Sequence, residues 1–150
     1  MSELVTTEMI DLNLTTTTKK ETIKCLADLI ADSGRITSID DYYKSLLARE
    51  EKSSTGIGNQ IAIPHGKSNS VKEPAVAFAR LKEGVEWEAI DDQQVRLVFL
   101  LAIPEESKTD GHLKILATLS RNLLKDSFRE QLLEVDSKEE ANKILTNMFQ

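Results

Sequence analysis

The 150-residue sequence has one cysteine, three prolines, two histidines and fewer basic than acidic residues. A single cysteine, Cys25, allows no intrachain disulfide and no CxxC motif for zinc or redox chemistry. Lysine and arginine number 19 and aspartate and glutamate 25, which gives a net charge of −6 at pH 7. Because nucleic-acid binding needs basic patches that neutralise phosphates, this composition argues against a nucleic-acid partner.

Long apolar runs are also missing. The longest, Leu97 to Ile103, is far too short to span a bilayer. The first twelve residues contain no basic segment followed by an apolar core, so they do not resemble a secretory signal. We therefore expect a soluble, cytoplasmic protein. A length of 150 residues with 40% apolar content predicts a single domain over residues 1–150.

Helical and strand-like patterns alternate along the chain. Capping residues Thr18, Ser38, Asp110 and Ser137 each precede a segment with apolar residues at helical spacing, and Ser127 with Glu130 forms a further capping box. The second of these helices carries the apolar stripe Ile39, Tyr43, Leu46 and Leu47. Strands are predicted at Ile10–Leu14, Ile61–Ile63, Ala75–Leu81 and Val95–Ile103, and a loop at Lys67–Glu73. This mixture predicts an α/β fold with helices packed on a sheet.

Common cofactor and nucleophile motifs are absent. The glycines of Gly56-Ile57-Gly58 lack the third glycine of a dinucleotide fingerprint, because Ile61 occupies its place. The sequence has no phosphate-binding GxxxxGK[ST] loop, no GxSxG elbow and no HExxH motif. Two histidines are too few for a usual zinc site. We therefore expect neither a metal nor a cofactor, and no chemical role for Cys25 inside the first helix.

His65 stands between Pro64 and Gly66, directly after an apolar segment. Pro64 fixes its own φ and removes a donor, which favours the end of a strand, and Gly66 permits close approach of another group. This pattern places an imidazole at the rim of the sheet, where sites of α/β proteins usually lie. The alternative is a surface histidine without a function.

His112 and a group of polar residues near position 55 could assist. His112 follows Gly111 in the first turn of a predicted helix, where the helix dipole favours a neutral imidazole. Arg49 and Thr55, with the backbone of Gly56 and Gly58, could supply donors to a phosphoryl oxygen. For Arg49 the alternative is a solvated charge at a helix end.

Two blocks of sequence carry a resemblance to a known family. The first runs from Arg49-Glu50 through Ser54-Thr55-Gly56-Ile57-Gly58 to Ile61-Ala62-Ile63-Pro64-His65-Gly66, and the second joins Val98–Pro104 to Gly111-His112-Leu113 and Leu116-Ala117. Together they resemble the enzyme IIA domains of the fructose/mannitol family of the bacterial phosphoenolpyruvate-dependent sugar phosphotransferase system. The likeness covers residues 10–148. One departure is Gln60, where relatives often have glycine.

The resemblance implies a fold, a reaction and partners. It implies a mixed β-sheet flanked by helices on both faces and a phosphotransferase without a metal or cofactor. His65 would accept a phosphoryl group from the phosphocarrier protein HPr and pass it to a cysteine of the IIB component. The membrane component IIC then carries in the sugar, expected to be fructose-like. His112 would support the transfer, and Arg49 would contact the phosphoryl group.

Two other roles remain open at this point. Nitrogen-related IIA proteins of the same family take phosphate but act in regulation and not in sugar import. The chain could also be a non-catalytic interaction module whose histidines never turn over.

Overall fold

The computed structural model describes residues 4–105 and 111–149, and of residues 111 and 112 the backbone alone. Within these residues the chain forms a short 3-10 helix, six strands and five α-helices. The order is the 3-10 helix Thr7–Met9, β1 Ile10–Leu14, α1 Lys19–Asp32, α2 Ile39–Lys52, β2 Gly56–Gly58, β3 Ile61–Ala62, β4 His65–Ser68, β5 Ala75–Val85, β6 Val95–Pro104, α3 Gly111–Leu123, α4 Asp126–Glu134 and α5 Lys138–Phe149.

Strand β6 organises the sheet. One edge of β6 pairs antiparallel with β5, which in turn pairs parallel with β1. The other edge pairs parallel with two short strands in succession, β3 at Leu97 and Val98 and then β4 from Leu101 to Pro104. Strand β2 completes the sheet as the antiparallel neighbour of β3. The sheet is therefore mixed.

Helices cover both faces of this sheet because side chains of a strand alternate between faces. Val98, Leu100 and Ala102 of β6 pack in one core with helices α1 and α2. Leu97, Phe99, Leu101 and Ile103 pack in a second core with α3, α4 and α5. The predicted α/β fold, with a mixed sheet between two helical layers, is confirmed.

Three helix starts follow the predicted caps. The hydroxyl oxygens of Thr18, Ser38 and Ser137 accept hydrogen bonds from backbone N–H groups three residues later, at 3.1, 3.3 and 3.1 Å. The proposed cap Asp110 lies outside the described residues. Among the helices that the structure describes, none has the length and apolarity needed to cross a membrane.

Two local predictions are wrong. Residues Lys67 and Ser68 form part of strand β4 and not of a loop, because their backbone pairs with Ile103 and Pro104. Ser127 does not cap its helix, because α4 already begins at Asp126. The stripe predicted for α2 is confirmed at Tyr43, which packs against the core. Tyr42, which the stripe did not include, is fully buried, and its hydroxyl donates to the carbonyl of Leu101 at 2.8 Å. The hydroxyl thus has a partner inside the core, which makes burial of a tyrosine tolerable.

Candidate functional site

His65 is the first residue of β4 and lies opposite Leu101 in the sheet. The Ile63-Pro64 step separates β3 from β4, and the Pro64 carbonyl accepts from the Leu101 N–H at 3.0 Å. Strand pairing therefore resumes at His65, so the expectation that His65 follows a strand end is only half right. Like Leu101, His65 belongs to the face that carries α3, α4 and α5, and it is half-buried.

A hydrogen bond orients the imidazole. Nδ1 of His65 lies 3.0 Å from the carbonyl oxygen of Ile63. A carbonyl oxygen can only accept, so the contact assigns the proton of the neutral ring to Nδ1. Nε2 then holds the lone pair and is the nucleophilic nitrogen of the ring.

Gly66 allows α2 to approach the strand closely. A Cβ at this position would lie 2.5 Å from Oγ of Ser45, 3.1 Å from Cε1 of Tyr42 and 3.2 Å from Cγ of Leu46. Burial raises the pKa of Tyr42 well above its usual value, so its hydroxyl stays protonated and donates to the Leu101 carbonyl. Helix α2 is therefore held against Gly66 of β4 and against Leu101, the β6 residue opposite His65.

Arg49 and Thr55 lie where α2 ends and β2 begins. Nη1 of Arg49 donates to the carbonyl of Ser53 at 2.9 Å, which holds the half-buried guanidinium against the end of its helix. Thr55 is buried, and both of its donors go to Glu50: its N–H to Oε2 at 2.8 Å and its hydroxyl to Oε1 at 2.6 Å. Nε1 of Trp87 donates to the Thr55 hydroxyl oxygen at 3.1 Å.

Gly56 and Gly58 of β2 are glycines for two different structural reasons. The Gly56 N–H donates to Oγ of Ser54 at 3.1 Å, and a Cβ on Gly56 would lie 2.9 Å from Ala89. Gly58 has a φ of +94°, which favours glycine. The predicted donors of Thr55 and Gly56 thus already have partners within the protein, and both glycines are needed for the shape of the loop.

A backbone contact joins the two parts of the site. The N–H of Ile63 donates to the carbonyl of Thr55 at 3.0 Å, so the segment after α2 is linked to the segment that ends in His65. Ile57 and Ile63 are half-buried and pack in the same core as α3. The backbone of His112 lies in the first turn of α3, and its side chain is outside the described part of the structure.

Three residues of this region were missed by sequence reasoning. Glu50, Tyr42 and Trp87 make the contacts that position Thr55 and the β4 backbone. No local motif signals Tyr42 or Trp87, because their partners are 59 and 32 positions away along the chain. Glu50 stands beside Arg49 in the first block of the resemblance, but its contact with Thr55 was not predicted. Among the side chains that the structure describes, no group of three or more histidine, cysteine or acidic residues is arranged to hold a metal ion.

Comparisons with known proteins identify the family. The model of the family "Phosphoenolpyruvate-dependent sugar phosphotransferase system, EIIA 2" matches residues 3–148. The fructose-specific EIIA component of Haloferax volcanii is 39% identical over 150 residues, which cover 100% of this chain and 97% of that protein. The nitrogen regulatory protein IIA-Ntr of Neisseria meningitidis has a similar structure, with a TM-score of 0.88 and 35% identity over 95% of this chain and 96% of that one.

A second similar structure was solved with a partner. In the complex of the mannitol enzyme IIA with phosphorylated enzyme IIB from Escherichia coli, the similarity has a TM-score of 0.79 and 26% identity. It covers 93% of this chain and 95% of that one. The family match over residues 3–148 and the full-length similarity to a fructose-specific EIIA component show that this chain belongs to the EIIA family of the sugar phosphotransferase system that transfers phosphoryl groups.

Proposed function

We propose that this protein is a phosphoryl carrier that accepts a phosphoryl group on His65 from HPr and passes it to a cysteine of a IIB component. The transfer would serve uptake of a fructose-type sugar through the membrane component IIC. The observation that carries this proposal is the contact between His65 Nδ1 and the Ile63 carbonyl. It leaves Nε2 as the nucleophile on a half-buried residue of a family that transfers phosphoryl groups.

In the proposed phosphoryl transfer, the bond that forms is matched by the bond that breaks, and no metal ion takes part. The Nε2 lone pair forms a bond to phosphorus as the bond between phosphorus and the donor's histidine nitrogen breaks, and the donor imidazole leaves with that electron pair. The negative charge is spread over the three equatorial phosphoryl oxygens in a loose transition state, so positioning and donors supply most of the catalysis. Passing the group on to a thiolate sulfur repeats the exchange with His65 as the leaving group.

Arg49 is the proposed donor to the phosphoryl oxygens. Its Nη1 is held by Ser53, which orients the planar guanidinium while its fork geometry matches two oxygens at once. Thr55 and Gly56 would shape the site and not donate directly, because Glu50 and Ser54 already take their N–H groups. Direct donation by Gly58 and support from His112 stay predictions of the sequence.

The surroundings of His65 suit partners that dock and leave. Ile57 and Ile63, close to His65 in the sequence, are half-buried. A small apolar surface of this kind supports transient interfaces, which a carrier needs because two proteins must reach one imidazole in turn. The net charge of −6 would steer a donor with a basic docking face. A cytoplasmic location follows from this proposal and stays a prediction.

Intact-mass spectrometry tests the proposal. The protein is incubated with phosphoenolpyruvate, enzyme I and HPr, in parallel with His65→Ala and the control His112→Ala. We expect one acid-labile phosphoryl adduct on the wild type, none on His65→Ala, and a slower adduct on His112→Ala. A folded wild type that stays unmodified beside phosphorylated HPr would refute the carrier role and favour an interaction module.

A regulatory role is the second candidate. The TM-score to the nitrogen regulatory protein, 0.88, exceeds that to the mannitol enzyme, 0.79. The full-length similarity to a fructose-specific component favours sugar transport instead. Transfer to a sugar-specific IIB protein separates the two roles: a transport component passes the group to the IIB cysteine, whereas a regulatory protein retains it.

A further inference from the structure

We propose that Glu50 is a positioning residue for His65, acting through Thr55 and the peptide groups of Ile63. The inference rests on the phosphocarrier function proposed above and adds a residue to it. The hydrogen bonds of Glu50 that the structure describes go to Lys19 and Thr55 and not to the imidazole. Its effect would be transmitted by a continuous set of hydrogen bonds.

The first link joins Glu50 to Thr55. The side chain of Glu50 is 7% exposed and Thr55 is 3% exposed, so water competes little for their contacts. One carboxylate oxygen takes the Thr55 N–H at 2.8 Å and the other takes its hydroxyl at 2.6 Å. Two charge-assisted bonds to one residue fix both its backbone and its side chain.

Trp87 determines the direction of the hydroxyl bond. The indole N–H can only donate, and it donates to the Thr55 hydroxyl oxygen at 3.1 Å. The single hydroxyl proton therefore goes to Glu50. Lys19 balances the buried carboxylate, with Nζ 3.3 Å from Oε2 and 6.0 Å from the centre of the Trp87 ring.

The second link joins Thr55 to His65. The carbonyl of Thr55 accepts from the Ile63 N–H at 3.0 Å, and the carbonyl of Ile63 meets Nδ1 of His65 at 3.0 Å. Ile63 is thus held on its N–H side by Thr55 and holds the imidazole on its carbonyl side. A shift of Thr55 would move the carbonyl that keeps the proton on Nδ1 and would misplace Nε2.

Glu50→Gln removes one of the two acceptors of Thr55 with little change in side-chain volume. The Glu50 carboxylate accepts at both oxygens. A glutamine amide has one acceptor oxygen, and its NH2 group would face the second Thr55 donor without forming a hydrogen bond. Glu51→Gln is the matched control, since Glu51 is the next residue of α2, carries the same charge and is exposed. Thr55→Val removes the hydroxyl while Thr55→Ser keeps it, so this pair tests the relay if Glu50→Gln does not fold.

Two measurements on the full chain decide the proposal. In the unphosphorylated protein, long-range ¹H–¹⁵N NMR gives the tautomer of His65, and the resonance of the one indole N–H reports the contact between Trp87 and Thr55. In single-turnover assays, the concentration dependence on phosphorylated HPr separates the transfer rate constant from the half-saturating concentration.

For Glu50→Gln and Thr55→Val we expect a loss of the Nδ1–H tautomer and a shifted indole resonance. We also expect a transfer rate constant lower by about 10- to 100-fold, with an unchanged half-saturating concentration. Glu51→Gln should behave as the wild type, and Thr55→Ser, which keeps the hydroxyl, should keep the Nδ1–H tautomer that Thr55→Val loses. A wild-type tautomer and rate constant in folded Glu50→Gln or Thr55→Val would overturn the proposal. If the wild type accepts no phosphoryl group the carrier function fails, and the tautomer measurement alone still decides the role of Glu50.

Discussion

Replacing Gly66 by alanine tests how helix α2 is fitted against the strand that begins with His65. The new Cβ would lie 2.5 Å from Oγ of Ser45, far inside a normal contact, and 3.1 and 3.2 Å from Tyr42 and Leu46. Oγ of Ser45 donates to the Tyr42 carbonyl at 2.7 Å. Rotating the serine away from the new methyl group therefore breaks a hydrogen bond.

Three contributions set the expected size of the effect. The lost hydrogen bond costs about 1 kcal/mol, and the displacement of the tyrosine ring and the leucine adds about 1 kcal/mol of overpacking. The lower entropy of the unfolded chain returns about 0.5 kcal/mol. Gly66→Ala should therefore lower the free energy of unfolding by about 1.5 kcal/mol. In a Ser45→Ala background the closest clash disappears, and the cost of Gly66→Ala should fall below about 1 kcal/mol.

Urea unfolding of the wild type, Gly66→Ala, Ser45→Ala and the double variant measures the cost of Gly66→Ala with and without the Ser45 hydroxyl. Agreement between Trp87 fluorescence and circular dichroism establishes two-state unfolding. Equal stability of wild type and Gly66→Ala would refute the close-approach explanation for this glycine. An equal cost of Gly66→Ala in the wild-type and Ser45→Ala backgrounds would also refute it, because Oγ of Ser45 is the atom nearest to the new Cβ.

Four further outcomes follow from single contacts. Gln60 has a φ of +69°, so Gln60→Gly should raise the free energy of unfolding by about 0.5–1 kcal/mol, which urea unfolding measures. Tyr42→Phe leaves the buried Leu101 carbonyl without its hydroxyl donor and should cost about 1–2 kcal/mol in the same assay. Arg49→Lys replaces a forked donor by a point charge and should slow phosphoryl transfer in a single-turnover assay while leaving stability unchanged. Hydrogen bonds from the backbone N–H groups of Asn59 and Gln93 lower the pKa of Asp91 below its ordinary value of 3.8. The ionised carboxylate therefore stabilises the fold above pH 3.8, and this contribution is lost as the pH falls through the lower pKa of the folded state. The difference in unfolding free energy between wild type and Asp91→Asn should be present at pH 7 and vanish in acid.

The layers of the fold follow from patterns that are local in sequence. The continuous apolar segment of β6 predicts a strand buried on both faces, and the caps at Thr18, Ser38 and Ser137 mark helix starts. Strand β4 could not be predicted in this way. Its residues His65 to Ser68 are mostly polar or small, and they form a strand because the edge of β6 beyond β3 offers backbone partners.

The candidate site, like the fold, could be predicted from the sequence only in part. His65 stands out because proline and glycine flank it, and the glycines at 56 and 58 indicate an unusual loop. The structure shows why glycine stands at each position: Ala89 packs closely against Gly56, and Gly58 has a positive φ. Trp87 carries no such signal, because its contact with Thr55 depends on how the segment after β5 packs against the segment after α2. Glu50 stands beside Arg49 in the first block of the resemblance, but its two contacts with Thr55 are visible only in the structure.

The proposed function places the phosphoryl group on Nε2 of His65. Heteronuclear NMR of the phosphorylated, ¹⁵N-labelled protein tests it directly, because coupling between ³¹P and one ring nitrogen identifies both the residue and the atom. We expect coupling to Nε2 of His65 with the proton retained on Nδ1, as the contact with the Ile63 carbonyl requires. A phosphoryl group on Nδ1 of His65, or on any other residue, would contradict the account.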